Sequence, residues 1–325
     1  MARQAKRHLR MVLPPAPWTR AMEDGSVQVD GLTWDAASDI PNAPERFVAT
    51  AKEHYDVGEN GLRRYVLRLL DGAPPTAIPV FFGRELMQRN LVVRADSPMS
   101  SPGDLAGKAI GSHLTVVSGT AAAVLMVLEQ AYEIDLTSLE LHMSAGDMPA
   151  NRMGLTIRPG PGTDEDAFDQ LARGDLDAVI LTTDPRYWSL FGGDCVDEAL
   201  KARPELRPLV SDPAVIADAY RRTGLYPISD LVVLRKELVE DDPEVPSQLV
   251  DAFAQANGLA SRYRGPEEEA LAMREVEMLG EDPHQYRLGA NERLNLEAYT
   301  DFFYRMGAIE RPLQPEELFA ASTVR

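Results

Sequence analysis

The chain has 325 residues, 44% of them hydrophobic, which is more than one minimal core needs and suits two domains. Its 51 acidic and 33 basic residues give a formal net charge of -18, a field that repels nucleic acid and anionic membrane surfaces, so neither is expected as a partner. A single cysteine, Cys195, excludes an internal disulfide, and no Cys/His cluster has zinc spacing.

The opening MARQAKRHLRMVLPPAPWTR is basic, but its apolar run from Met11 to Leu13 stops at two prolines. That is short of the roughly 7–15 apolar residues of a secretory signal. No stretch is long enough to span a bilayer, and the expected location is cytoplasmic. Strand patterns follow at 9–13 and, by alternation, at 27–34. A helix is expected over 43–54, a short strand over 55–57, a Gly-Glu-Asn-Gly turn at 58–61 and a helix over 62–70. Buried strands at 77–82 and 91–94 close the first region.

The second region opens with SPGDLAGKAIGS. Ala109 and Ile110 read as a strand, 111–120 as a polar loop and 121–132 as an apolar helix. A strand at 139–143, a Gly/Pro/Met-rich loop over 146–162, a helix at 165–172 and a strand at 176–181 come next. Met148 and Met153 read as packing within that loop. A strand returns at 231–234, and helices run around 247–262, 266–279 and 291–306. This alternation of strands and helices points to an α/β fold.

Three stretches, SPGDLAGKAIGS, LARGDLDAVIL and PISDLVVLRKELVEDDPEVPSQLVDAFAQA, resemble the type II periplasmic-binding-protein fold. The resemblance implies an α/β, two-lobed architecture with a ligand cleft between the lobes. Residues 1–94 and 226–325 would form lobe one, and 95–225 lobe two. Within that fold, AMEDGSVQVDGL, YDVGENGLRRY, AIPVFFGREL, YRRTGLYPISDLVVLRKELVE and PEELFAAST resemble the 4,5-dihydroxyphthalate decarboxylases in order and spacing. Arg20, Glu59 and Arg84 match the family's pattern. Met87, Gln88 and Arg89, Ser112 to Val116, Asp230 and an apolar residue near Leu125 depart from it.

The resemblance implies a decarboxylase-like carbon–carbon lyase acting on a small hydroxylated aromatic or cyclic carboxylic acid. A non-catalytic small-acid-binding protein, or a dehydratase or cyclase on the same scaffold, stands beside it. Arg84 follows a buried strand at its carboxyl end, where ligands of open α/β sheets sit. It reads as a bidentate carboxylate clamp or a structural ion pair, with Arg20 and Arg89 as further anion binders. Glu59, between Gly58 and Gly61, reads as an acid or base or as a solvated turn residue. Ser118 and Thr120 open an apolar helix and read as an N-cap with an anion site. Nearby His113 is the histidine placed to titrate near neutrality.

Asp230 is unusual in a strand and reads as an acid, base, metal ligand or hinge hydrogen bond. Tyr226 stands beside it, and Trp18 reads as a stacking wall or core aromatic. No lysine lies in an evident apolar pocket, so pyridoxal chemistry has no support. No G-x-G-x-x-G opens a helix, and GPGT at 160–163 lacks a P-loop's Lys-Ser/Thr. No cofactor is expected, with a divalent metal and homo-oligomerisation left open. The expected partner is a small carboxylic acid.

Overall fold

The computed structural model describes residues 6–40, 43–52, 55–70, 72, 75–84, 86–144, 150–181, 190–191 and 195–324. Two sheets form. The first contains β1 (Arg7–Val12), β2 (Leu32–Ala37), β3 (Val57–Gly61), β4 (Thr76–Arg84) and the late strand β11 (Ile228–Leu234), in the order β2-β1-β3-β11-β4. The second contains β5 (Leu91–Arg94), β6 (Ala109–Gly111), β7 (Glu140–Met143), β8 (Thr156–Pro159), β9 (Ala178–Ile180) and β10 (Leu206–Pro208), in the order β10-β5-β9-β6-β7-β8. Strand β11 runs antiparallel between β3 and β4, so the chain leaves the first sheet after Arg84 and returns to it at Ile228. Leu91–Arg94, expected to close the first region, pairs with β9 and β10 in the second sheet instead.

Helices cover the sheets. They are α1 (Arg20–Glu23), α2 (Ala43–Ala51), α3 (Leu62–Leu70), α4 (Gly119–Tyr132), α5 (Asp164–Arg173), α6 (Cys195–Leu200), α7 (Pro213–Thr223), α8 (Lys236–Asp241), α9 (Val245–Gly258), α10 (Pro266–Leu279) and α11 (Ala290–Met306). From Ala121 to Leu128 helix α4 is apolar on every face because every face there is covered. It packs against α7, α11 and β11, and one hydrophobic cluster runs from Leu125 and Leu128 to Leu231 and Phe303. Among the described residues no helix is long and apolar enough to cross a membrane.

Two further expectations fail for tertiary reasons. Residues 57–61 are a strand in mid-sheet, not a turn. Gly58 is needed there because Thr50 and Val12 fill the space a side chain would take. The loop expected over 146–162 contains the edge strand β8, whose burial is too slight to give a hydrophobic signature; Met148 lies outside the described residues. The helix expected over 43–54 is seen over Ala43–Ala51, with His54 also outside them.

Strand β4 shapes the site. Its sequence TAIPVFFGR is almost wholly buried. It lies at the sheet edge, where Pro79's missing N–H is tolerated. Ile78 faces Val232 and Gly83 faces Asp230, so residues 79–82 bulge out of register. Such bulges re-aim side chains, and here Phe82 turns toward α9 and the cavity described below. The Asp230 and Ser229 side chains occupy the space beside Gly83. We expect Gly83→Ala to destabilise the fold by about 1–3 kcal/mol through overpacking, read as a lower midpoint in urea; an unchanged midpoint would show that the bulge yields freely.

Candidate active site

Arg84 ends β4 fully buried, and burial lowers its pKa while the Glu292 carboxylate opposes that shift. A guanidinium in such a place must find a partner for each of its five N–H groups. Nε and Nη2 donate to the Tyr226 carbonyl at 3.3 and 3.2 Å. Nη1 donates to the Pro283 carbonyl and to Glu292 Oε1, the latter at 2.9 Å. Nη2 also donates to Asn291 Oδ1 at 2.6 Å. Read from sequence as a clamp for a ligand carboxylate, Arg84 has no donor left for one. It ties β4 to Tyr226 just ahead of β11, to the segment before α11 and to the first turn of α11.

That tie holds one wall of a cavity of about 780 Å³. Trp18, Phe82, Tyr286, Leu271 and Met273 give it aromatic and aliphatic surface. Asn257, Arg264, Glu275, Asp282 and His284 bring polar groups to the same wall. Tyr286 and Phe82 meet edge to face at 6.1 Å, as do Tyr226 and His284 at 5.6 Å.

Two groups in this wall are pushed toward neutrality. Glu275 is one of only two buried residues on α10. Burial drives its pKa up to about 7, against a hydrogen bond from the Tyr226 hydroxyl (3.2 Å) and one from the Leu190 backbone. His284 moves the other way, down to about 4, first through burial and then through the Arg84 charge. The arrangement offers an acid that still holds its proton near neutral pH, beside an uncharged imidazole. Arg264 gives one N–H to Glu269 at 3.1 Å. Its charge reaches Glu275, His284 and Tyr286.

The other expected site residues lie as follows. Trp18 lines the cavity, its Nε1 buried without a hydrogen-bond partner among the described residues. Tyr226 is wholly buried behind it and reaches it through Glu275. Glu59 is buried in β3 and paired with Arg46 at 2.6 Å, not exposed in a turn. Arg20 is solvent-exposed and pairs with Glu23. Arg89 pairs with Asp197 on α6 at 3.0 Å. Asp230 accepts from Ser229 Oγ at 3.2 Å.

In the second sheet's half, His113 Nδ1 lies 2.8 Å from Asp164. Ser118 caps α4 by accepting from Ala121 N at 3.2 Å, with Thr120 in the first turn. None of these second-half residues lines the cavity, whose wall comes from Trp18, Phe82 and positions 257–286. Among the described residues, no three His, Cys, Asp or Glu side chains are grouped to hold a metal ion.

Sequence reasoning passed over Glu275, His284, Tyr286 and Arg264. A trace was present. Leu271, Glu275 and Leu279 recur every fourth residue, on one helical face, and PHQYR begins at Pro283, three residues past the Gly280 stop.

No protein-family model matches the chain. It is 27% identical to a 4,5-dihydroxyphthalate decarboxylase from Comamonas testosteroni, with 92% of each chain covered. A protein of the same name from Pseudomonas putida is 28% identical, covering 64% of this chain and 78% of its own. This chain is a homologue of proteins named 4,5-dihydroxyphthalate decarboxylase. Among solved structures, the periplasmic sulfonate-binding protein SsuA from Methylobacillus flagellatus superposes with a TM-score of 0.58 at 13% identity, covering 97% of this chain and 92% of that one. The aliphatic sulphonate-binding SsuA from Escherichia coli gives 0.53 at 13%, with the same coverage. The desulfurization enzyme DSZB gives 0.51 at 18%, covering 97% and 96%. These likenesses show the two-lobed periplasmic-binding-protein fold and no more.

We expect Arg84→Met to lower unfolding free energy by about 3–5 kcal/mol, because it strands the buried Glu292 carboxylate; a loss below about 1 kcal/mol by urea titration would refute the tie. Glu275 carries a pH signature. Its folded pKa is raised, so the native state binds the extra proton between the ordinary carboxylate range and about 7. Its contribution is therefore full below that window and is lost as pH rises through about 7. Glu275→Gln should flatten stability across that window, as followed by thermal melts at several pH values.

Proposed function

We propose that this chain is a decarboxylase of hydroxylated aromatic carboxylic acids, acting in the cavity between Trp18 and Tyr286. One observation carries the reading: a carboxyl group raised to about 7 stands in an aromatic-walled cavity that also holds an arginine. Homologues named as decarboxylases over most of the chain support the reaction class.

The chemistry asks for three things. A substrate carboxylate needs a cation, and Arg264 has donors beyond its single bond to Glu269. The ring needs flat apolar walls, supplied by Trp18, Phe82 and Tyr286. The ring carbon bearing the carboxylate must gain a proton as it loses carbon dioxide. Glu275 delivers that proton to the carbon. The carbon–carboxylate bond then breaks, its electron pair restores the aromatic ring, and carbon dioxide leaves. A ring hydroxyl para to that carbon donates electron density as the proton arrives, and His284, uncharged, accepts a hydrogen bond from such a hydroxyl. Water reprotonates Glu275 between turnovers. The Tyr226 hydroxyl, held through its backbone by Arg84, keeps the carboxyl aimed.

An acid of this kind works only while protonated, so kcat should fall as pH rises above about 7. The test is incubation with a panel of mono- and dihydroxylated benzoates and phthalates, following carbon dioxide and the ring product. We expect release of carbon dioxide without loss of water, and a drop of roughly 10²- to 10⁴-fold in kcat for Glu275→Gln with ligand still bound. Retention of the acids unchanged would make the chain a binding protein; loss of water would make it a dehydratase.

A further inference from the structure

The cavity wall is lopsided in charge. Besides the protonated Glu275 it carries four carboxylates, Glu267, Glu268, Glu269 and Asp282, against one cation among the described residues, Arg264. Glu269 already takes part of that cation. Helix α10 begins in this wall, after Gly265, and the free N–H groups of a helix start favour anions. Here three successive glutamates fill the first turn and offset that field. His284 brings no charge near neutral pH, and every donor of Arg84 is spent inside the protein. One anionic group can therefore be met, by Arg264. A second would lie among carboxylates with no further cation among the described residues of the wall to answer it.

We infer that the cavity selects aromatic acids bearing a single carboxylate and excludes dianions such as phthalates, with Glu267, Glu268 and Asp282 as the excluding residues. This rests on the cavity being the substrate site of the proposed decarboxylase and narrows its substrate class. The same acids favour the right ligand. A ring hydroxyl donates to a carboxylate oxygen, whereas a second carboxylate placed there repels it, so attraction and exclusion come from the same side chains.

The test compares 3,4-dihydroxybenzoate with 4,5-dihydroxyphthalate on the full chain, by calorimetry for Kd and by carbon dioxide release for kcat/KM. The expected result is binding of the monoacid roughly tenfold or more tighter. The gap should narrow by about tenfold in Glu267→Gln/Glu268→Gln, and it should also narrow as salt is raised. Tighter binding of the phthalate, or a ratio unmoved by both the substitutions and salt, overturns the inference. If both acids bind with the expected ratio and neither loses carbon dioxide, the decarboxylase reading fails while the charge selection stands. If neither binds, both fall.

Discussion

A guanidinium sealed from water dictates much of the site. Arg84 cannot shed its charge and must satisfy five N–H groups in fixed directions, and its partners are distant in sequence: Tyr226, Pro283, Asn291 and Glu292. Meeting them brings the end of β4, the approach to β11 and the start of α11 to one point. Pro283 is the neighbour of His284, so the tie fixes that imidazole in the cavity wall. Tyr226 is held through its carbonyl, which leaves its hydroxyl directed at Glu275. Replacing a bidentate fork by a lysine would leave most of these acceptors unanswered.

From this scaffold follows the electrostatic character of the wall. Burial favours neutral forms, so it raises the carboxyl of Glu275 and lowers the imidazole of His284. The Arg84 charge strengthens the second shift and keeps His284 an acceptor. Titratable groups whose environments move them in opposite directions are the usual source of distinct acid and base roles. Helix α10, which carries Glu275, buries only that residue and Leu279, while Met273 is 66% exposed. Two buried side chains are little packing for a 14-residue helix, and a ring bound against Leu271 and Met273 would add to it.

Much of the fold was legible. The strand at 91–94 and the helices at 62–70 and 266–279 have the extents their patterns gave, because run length and Gly or Pro boundaries are local signals, but the strand joins the second sheet, which no local signal shows. The strand around Glu59 was not, because two glycines in five residues read as a turn until β1 and β11 are seen on either side. The site was only half legible. Arg84 was found by its place after an apolar run, but its role depends on Glu292, 208 positions away, which no local pattern reveals. Glu275 looked like one more glutamate on an acidic helix, and only burial beneath Tyr226 and Leu190 distinguishes it. Ser118 caps α4, as its N-cap reading had it, and it does not line the cavity between Trp18 and Tyr286.

Burial in the Arg84-anchored wall leaves Glu275 protonated near neutral pH. Carbon-detected NMR titration of the Glu275 side-chain carboxyl, assigned by comparison with Glu275→Gln, tests it most directly. We expect a midpoint at about 7 in the intact protein. A midpoint in the ordinary carboxylate range would contradict it and remove Glu275 as the proton donor.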